Sequence, residues 1–161
     1  MTKQYDYAIC SGYFDPLHEG HLDLFDECKK IANRLWVIVN NDKQLALKRS
    51  IRVFDEMIRI RIVASIKNIS YVTLSYDNTS DISITLGIIL NQIKFPLMAS
   101  VPLTAKVCFV NSGDRNKDNS SQLENDICSK RGCDIKYINM VKANSSSGII
   151  KSIISQATRP K

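Results

Sequence analysis

The sequence predicts a three-layer α/β fold with five parallel strands in the order 3-2-1-4-5. Short β-rich runs alternate with stretches of helical spacing from one end to the other, which is the pattern of a parallel sheet with crossover helices. The run Leu35-Trp36-Val37-Ile38-Val39 is apolar without alternation, as in a strand covered by helices on both faces. Right-handed crossovers must leave the first strand in both directions to cover both faces, and that requirement sets the strand order.

The first strand is Tyr5 to Cys10, followed by a loop over Ser11 to Pro16 and a helix from Glu19 to Asn33 with the apolar stripe Leu22, Phe25, Cys28 and Ala32. Leu35 to Val39 is strand two. A helix over Phe54 to Lys67 stacks Ile58, Ile62 and Ile66, and strand three is Tyr71 to Leu74. Asp81 to Ile93 reads as a helix, and the span 94–104, with Pro96 and Pro102, as a surface insertion. Strand four is Lys106 to Asn111. Ser121-Gln122-Leu123-Glu124 fits a capping box opening a helix that closes at Gly132. Strand five is Asp134 to Met140, and Ser145-Ser146-Ser147 leads into a last helix through Ile154.

The 161 residues suit a single domain, 1–161, and 44% apolar with 24% charged residues are enough to fill a core, which excludes a disordered polyelectrolyte. The longest apolar run is too short to cross a bilayer, and Met1-Thr2-Lys3-Gln4 carries no signal-peptide core. A cytoplasmic protein with no membrane partner is expected. With 22 Lys and Arg against 16 Asp and Glu, the net charge of +6 favours anionic partners. The basic residues are scattered without a stripe of interleaved aromatics, so nucleic acid is not the expected partner. Five cysteines at irregular spacing, with no C-x-x-C pair, read as reduced and buried rather than as disulfides or a metal site.

The chemistry concentrates in Gly12-Tyr13-Phe14-Asp15-Pro16-Leu17-His18-Glu19-Gly20-His21, between a buried strand and a helix N-terminus. A helix N-terminus offers unpaired N–H groups and partial positive charge, so a phosphate binds there readily. Gly12 and Gly20 allow the backbone to approach a ligand. His18 and His21 are the only histidines of the chain and share one helical face. Read one at a time, each histidine could be an ordinary core or surface residue and Asp15 a turn former before Pro16, but those readings leave the decapeptide as a whole unexplained.

The segment resembles the G-x-F-D-x-x-H-x-G-H signature of the cytidylyltransferase-like nucleotidyltransferases. Similarity continues through Asn40-Asn41-Asp42 and Lys48, Arg59 and Ile62, and Ser112-Gly113-Asp114-Arg115, to Asn144-Ser145-Ser146-Ser147-Gly148-Ile149-Ile150. The resemblance implies a Rossmann-like fold and attack of an acceptor phosphate on the α-phosphorus of a nucleoside triphosphate, releasing pyrophosphate. It implies His18, His21 and Lys48 as catalytic residues. Gly12, Tyr13, Phe14, Asp15, Gly20, Asp114, Arg115, Asn144, Ser145, Ser146 and Ser147 would bind nucleotide, and Lys48, Arg59 and Asp42 would bind the acceptor, with Arg59 facing either the acceptor or the core. Without the resemblance, Lys48 and the Arg59–Arg61 pair read equally as solvated basic residues, and the serines as helix caps.

Asp15 and His18 disfavour the nicotinamide-nucleotide and pantetheine-phosphate branches, which leaves phosphorylated polyols or sugars as acceptors. The Asp15 to His21 signature leans towards CMP transfer from CTP onto an acceptor such as glycerol 3-phosphate. The serine-rich final motif pulls towards the heptose-type alternative, with ATP and a sugar 1-phosphate. A non-catalytic nucleotide-binding protein on the same fold is the further alternative. Mg²⁺ is expected with the triphosphate, without a side-chain metal cage, and a homodimer is expected from the family's habit.

Overall fold

The computed structural model describes residues 3–95, 104–112, 119–138 and 145–158. Its elements are β1 (Tyr5–Gly12), α1 (Glu19–Ile31), β2 (Ala32–Val39), α2 (Asp42–Lys48), α3 (Glu56–Ala64), β3 (Tyr71–Leu74), α4 (Ser83–Lys94), β4 (Val107–Ser112), α5 (Gln122–Lys130), β5 (Cys133–Ile138) and α6 (Ser146–Ala157). The strands form one sheet in the order β3-β2-β1-β4-β5, and every neighbouring pair is parallel. This is the Rossmann-like α/β architecture that the alternation of elements predicts.

Side chains of β1 alternate between two cores, as the strand period requires. Ala8 and Cys10 pack with Phe25 and Cys28 of α1 and Val63 of α3 on one face. Tyr7 and Ile9 pack with Leu86 and Leu90 of α4 and Cys128 of α5 on the other. Because β1 and β4 are adjacent while their crossovers depart in opposite directions, a crevice opens at their C-terminal ends, where open α/β sheets take ligands. All five cysteines are buried and free. No helix among the described residues is long and apolar enough to cross a membrane.

Several boundaries differ from the sequence reading. The first helix ends at Ile31; Ala32 has extended dihedrals and pairs with Tyr5 as the first residue of β2. Its inward stripe is Leu24, Phe25 and Cys28, while Leu22 is 41% exposed, because the sheet lies under a face rotated from the predicted one. In α3 the buried positions are Arg59 and Val63, and Ile58 is 43% exposed. The inward site one residue along is claimed by Arg59, which finds oxygen acceptors there. Lys94 belongs to α4, and its ammonium donates to the carbonyl of Ala105 at 2.7 Å; residues 96–103 of the expected insertion lie outside the described residues.

The sequence reading passed over α2. Its N-cap Asn41 accepts from the Gln44 N–H at 2.9 Å, and the Gln44 side chain accepts from the Asn41 N–H at 3.1 Å. This is a reciprocal capping box with Asn at the cap and Gln three residues on. The α5 box forms only in part: Ser121 Oγ accepts from the Glu124 N–H, while the buried Glu124 carboxylate accepts from the Ile82 N–H that leads into α4. Gly132, at φ +57°, closes α5 in the left-handed conformation that favours glycine.

Candidate active site

The loop between β1 and α1 is held from beneath by side chains that never reach solvent. Asp15 is fully buried. Its carboxylate accepts from the backbone N–H groups of Val53 and Phe54 at 2.9 and 2.7 Å and from the Arg49 guanidinium at 2.7 Å. Arg59 is also fully buried. It donates to the carbonyls of Phe54 (3.2 Å), Tyr13 (2.7 Å) and Asn40 (2.6 Å) and to Asp42 Oδ1 (2.7 Å). Asp42 also receives Arg52 on Oδ2. These contacts fasten the ends of β1 and β2 to the segment that enters α3.

That arrangement bears on three residues expected at the site. Asp15 has no surface to offer a nucleotide, and Arg59 none to offer an acceptor, because every polar edge of each is spent inside the protein. Asp42 is engaged by two arginines. All three hold the site together from below. Phe14, also buried, adopts a left-handed φ of 52° and packs its ring between His21 and Phe25. Gly12 gains a second reason: a Cβ there would meet the Phe14 ring at 2.8 Å, so the glycine also makes room for a neighbouring side chain.

Above this base, the rings of His18 and His21 stack with centroids 3.8 Å apart. The His18 N–H donates to Nδ1 of His21 at 3.3 Å. With Nδ1 accepting, the neutral His21 ring carries its proton on Nε2 and presents that N–H as a donor. Burial, then the neighbouring His18 and the Lys48 charge, lower the His21 pKa to about 3, so the ring is neutral at physiological pH. Burial lowers that of His18 too. Nδ1 of His18 is a buried polar atom without a hydrogen-bond partner among the described residues, a condition native proteins tolerate mainly where function needs it.

Lys48, the last residue of α2, places its ammonium 4.6 Å from the centre of the Tyr13 ring. Tyr13, Leu47 and Lys48 form one wall of a cleft of about 520 Å³, faced by Ser80 and Asp81 before α4 and by Asn119 and Ser121 before α5. The N-terminus of α6 is drawn to the same loop, since Ser146 Oγ donates to the carbonyl of Pro16 at 3.0 Å. Ser145 caps α6 by accepting from the Gly148 N–H at 3.1 Å. Ser146 and Ser147 occupy its first turn.

The structure therefore brings His18, His21, Lys48, Tyr13 and Ser146 to one end of the sheet. Gly20 lies in the first turn of α1, and Asp114, Arg115 and Asn144 lie outside the described residues. The sequence reading did not single out Arg49, Gln44, Ser80, Asp81, Asn119 or Ser121 as site residues. Gln44 had a signal in its spacing from Asn41, and Ser121 and Asp81 were read as parts of helix starts without a site role; Arg49, Ser80 and Asn119 carried no pattern. No group of three or more His, Cys, Asp or Glu stands together as a metal cage among the described residues.

Residues 9–150 match the family described as cytidylyltransferase-like. The chain is 25% identical over 151 residues to a FAD synthase of Thermoplasma volcanium, covering 91% of this chain and 93% of that protein. It is 28% identical over 75 residues to the bifunctional protein HldE of Desulfatibacillum aliphaticivorans, covering 45% of this chain and 15% of that one. Among solved structures it resembles the lipopolysaccharide core biosynthesis protein of Thermoplasma volcanium with a TM-score of 0.63 at 23% identity, over 87% of this chain and 99% of the other. That structural likeness speaks to the fold. With the family match spanning both the histidine loop and the start of α6, the chain belongs to the cytidylyltransferase-like family and is a nucleotidyltransferase.

Proposed function

We propose that this enzyme transfers AMP from ATP to the phosphate of FMN, releasing pyrophosphate. The observation that carries the chemistry is a His21 ring held neutral, with its Nε2–H as donor, stacked on His18 and close enough to Lys48 to feel its charge. The names of the relatives guide the choice of substrates: FAD synthases join an adenylate to a flavin phosphate. This reading takes the place of the lean towards CTP and glycerol 3-phosphate. The transfer chemistry is the same for either pair.

An oxygen of the acceptor phosphate attacks the α-phosphorus, the bond from that phosphorus to the bridging oxygen of the β-phosphate breaks, and pyrophosphate leaves. The acceptor phosphate is already ionised at neutral pH, so no general base is needed, and the protein's work is alignment and charge stabilisation. His18 and His21 donate to α- and β-phosphate oxygens. Lys48 neutralises the anions as they approach. The first turn of α6, with Ser145, Ser146 and Ser147, receives the β- and γ-phosphates at its dipole's positive end. The segment holding Asp114, Arg115 and Asn144 serves the nucleotide. With no side-chain cage among the described residues, Mg²⁺ would arrive with the triphosphate and would supply charge neutralisation there.

We also propose a homodimer, in the cytoplasm. Five large apolar side chains, Leu47 (65% exposed), Ile51, Val53, Met57 (64%) and Ile58, are exposed between residues 47 and 58, and a second copy is an occupant that would cover such apolar surface symmetrically.

Pyrophosphate release with ATP or CTP, each against FMN, glycerol 3-phosphate and a sugar 1-phosphate, tests the reading. ATP with FMN should give the highest kcat/KM. Preference for CTP with glycerol 3-phosphate restores the cytidylyl reading, and nucleotide binding without pyrophosphate release with any acceptor supports a non-catalytic protein.

A further inference from the structure

One face of the cleft is built on a contact that the transfer chemistry does not use. The segment from Ser75 to Asp81, between β3 and α4, runs past α2 with alternate carbonyls turned towards it. Asn41 Nδ2 donates to the carbonyls of Ser75 and Asp77 at 3.0 and 2.7 Å. Gln44 Nε2 donates to the next two alternate carbonyls, Thr79 and Asp81, at 2.8 Å each. Two carboxamides thus grip four carbonyls in a row, and both side chains are buried. The amide orientations follow from the same network, because Asn41 Oδ1 and Gln44 Oε1 each accept a backbone N–H of the α2 capping box.

The far end of the segment is tied down as firmly. Asp77 is fully buried, and its carboxylate accepts from the N–H groups of Ile84 and Thr85 at 2.8 and 3.1 Å and from the Thr85 hydroxyl at 2.5 Å. The segment therefore has little freedom relative to α4, and its separation from α2 is set by Asn41 and Gln44. Leu47 and Lys48 project from α2 into the cleft, and Ser80 and Asp81 face them across it. Of the two carboxamides, Gln44 holds the carbonyls on either side of Ser80.

We propose that Gln44 is a positioning residue for the acceptor: by fixing the 79–81 segment to α2 it sets the width of the cleft between Lys48 and Ser80, and so decides how the acceptor is held. The inference rests on the proposed role of Lys48 toward the acceptor phosphate, since Lys48 lines this cleft. The donor triphosphate, held by the α1 and α6 N-termini, does not depend on this contact. Loss of the Gln44 donors weakens acceptor binding and leaves ATP binding intact.

The experiment compares the wild type with Gln44→Glu, which keeps the bond to the Asn41 N–H but turns an oxygen towards two carbonyls. Gln44→Asn, one methylene shorter with its donors kept, serves if the first variant folds poorly. ATP affinity is measured by calorimetry, the KM for FMN by pyrophosphate release, and amide hydrogen exchange over residues 42–48 and 76–82 by mass spectrometry. The expected result is a KM for FMN raised about tenfold or more, ATP affinity within twofold of wild type, and faster exchange in both segments together. An unchanged KM for FMN in a folded variant overturns the proposal, as does an equal loss of ATP affinity. Exchange that accelerates in α2 alone overturns the coupling. A wild type that releases no pyrophosphate with FMN overturns the proposed substrates instead, and the exchange result still decides whether Gln44 joins the two walls.

Discussion

Asp15 and Arg49 meet at 2.7 Å with the carboxylate fully buried. The pair closes the 49–54 segment over the base of the histidine loop, and the Val53 and Phe54 N–H groups complete the carboxylate's partners. Removing the carboxylate leaves the Val53 and Phe54 N–H groups without their acceptor and Arg49 with only the Asp15 carbonyl. Asp15→Ala should therefore cost about 3 kcal/mol of unfolding free energy, the lower end for a broken buried pair, because Arg49 retains some solvent. Urea unfolding measures it. A loss below about 1 kcal/mol would mean that the segment is held by other contacts.

The His21 pKa gives a signed pH prediction. In the folded protein the ring protonates near pH 3, and in the unfolded chain near its ordinary value of 6.5. Between those values the unfolded state binds more protons, so stability rises with pH across the window and falls as pH drops through it. The slope for one such group is at most about 1.4 kcal/mol per pH unit. Comparing chemical denaturation of the wild type and His21→Gln from pH 4 to pH 7 isolates it. The wild type should lose stability more steeply towards acid, whereas parallel curves would show that His21 titrates normally in the fold.

The dimer proposal predicts that Met57→Glu, which places a charge in the exposed 47–58 stretch, converts a species of twice the chain mass into one of the chain mass. Sedimentation equilibrium across micromolar concentrations reads this directly. A wild type that sediments as a single chain would remove the stretch as an interface between copies.

How far the sequence disclosed these features depends on what kind of partner each residue has. The strand order was legible because apolar runs and crossover handedness act on whole elements. The pairing of His18 with His21 was legible because their spacing is local, whereas Lys48 came only from the resemblance. The core-facing position of Arg59 was offered only by the resemblance: an arginine beside Arg61 looks solvated, and its inward turn depends on the carbonyls of Tyr13, Asn40 and Phe54, which are backbone groups that no side-chain pattern announces. Gln44 too depends on backbone acceptors, the carbonyls of Thr79 and Asp81. At Gly12 the sequence did not show a further demand for glycine, because the left-handed Phe14 whose ring lies against it is invisible in the sequence.

The central claim is that the stacked histidines stabilise charge in the transfer step. Its most direct test is single-turnover release of pyrophosphate from ATP with FMN as acceptor, in the wild type and in His18→Ala, His21→Ala and the double variant, with folding checked by circular dichroism. Loss of one preorganised donor to a developing oxyanion costs about 2.7–4 kcal/mol, so each single variant should slow the step by at least ~10²-fold while remaining folded. A folded double variant that turns over within a few-fold of wild type would contradict the account.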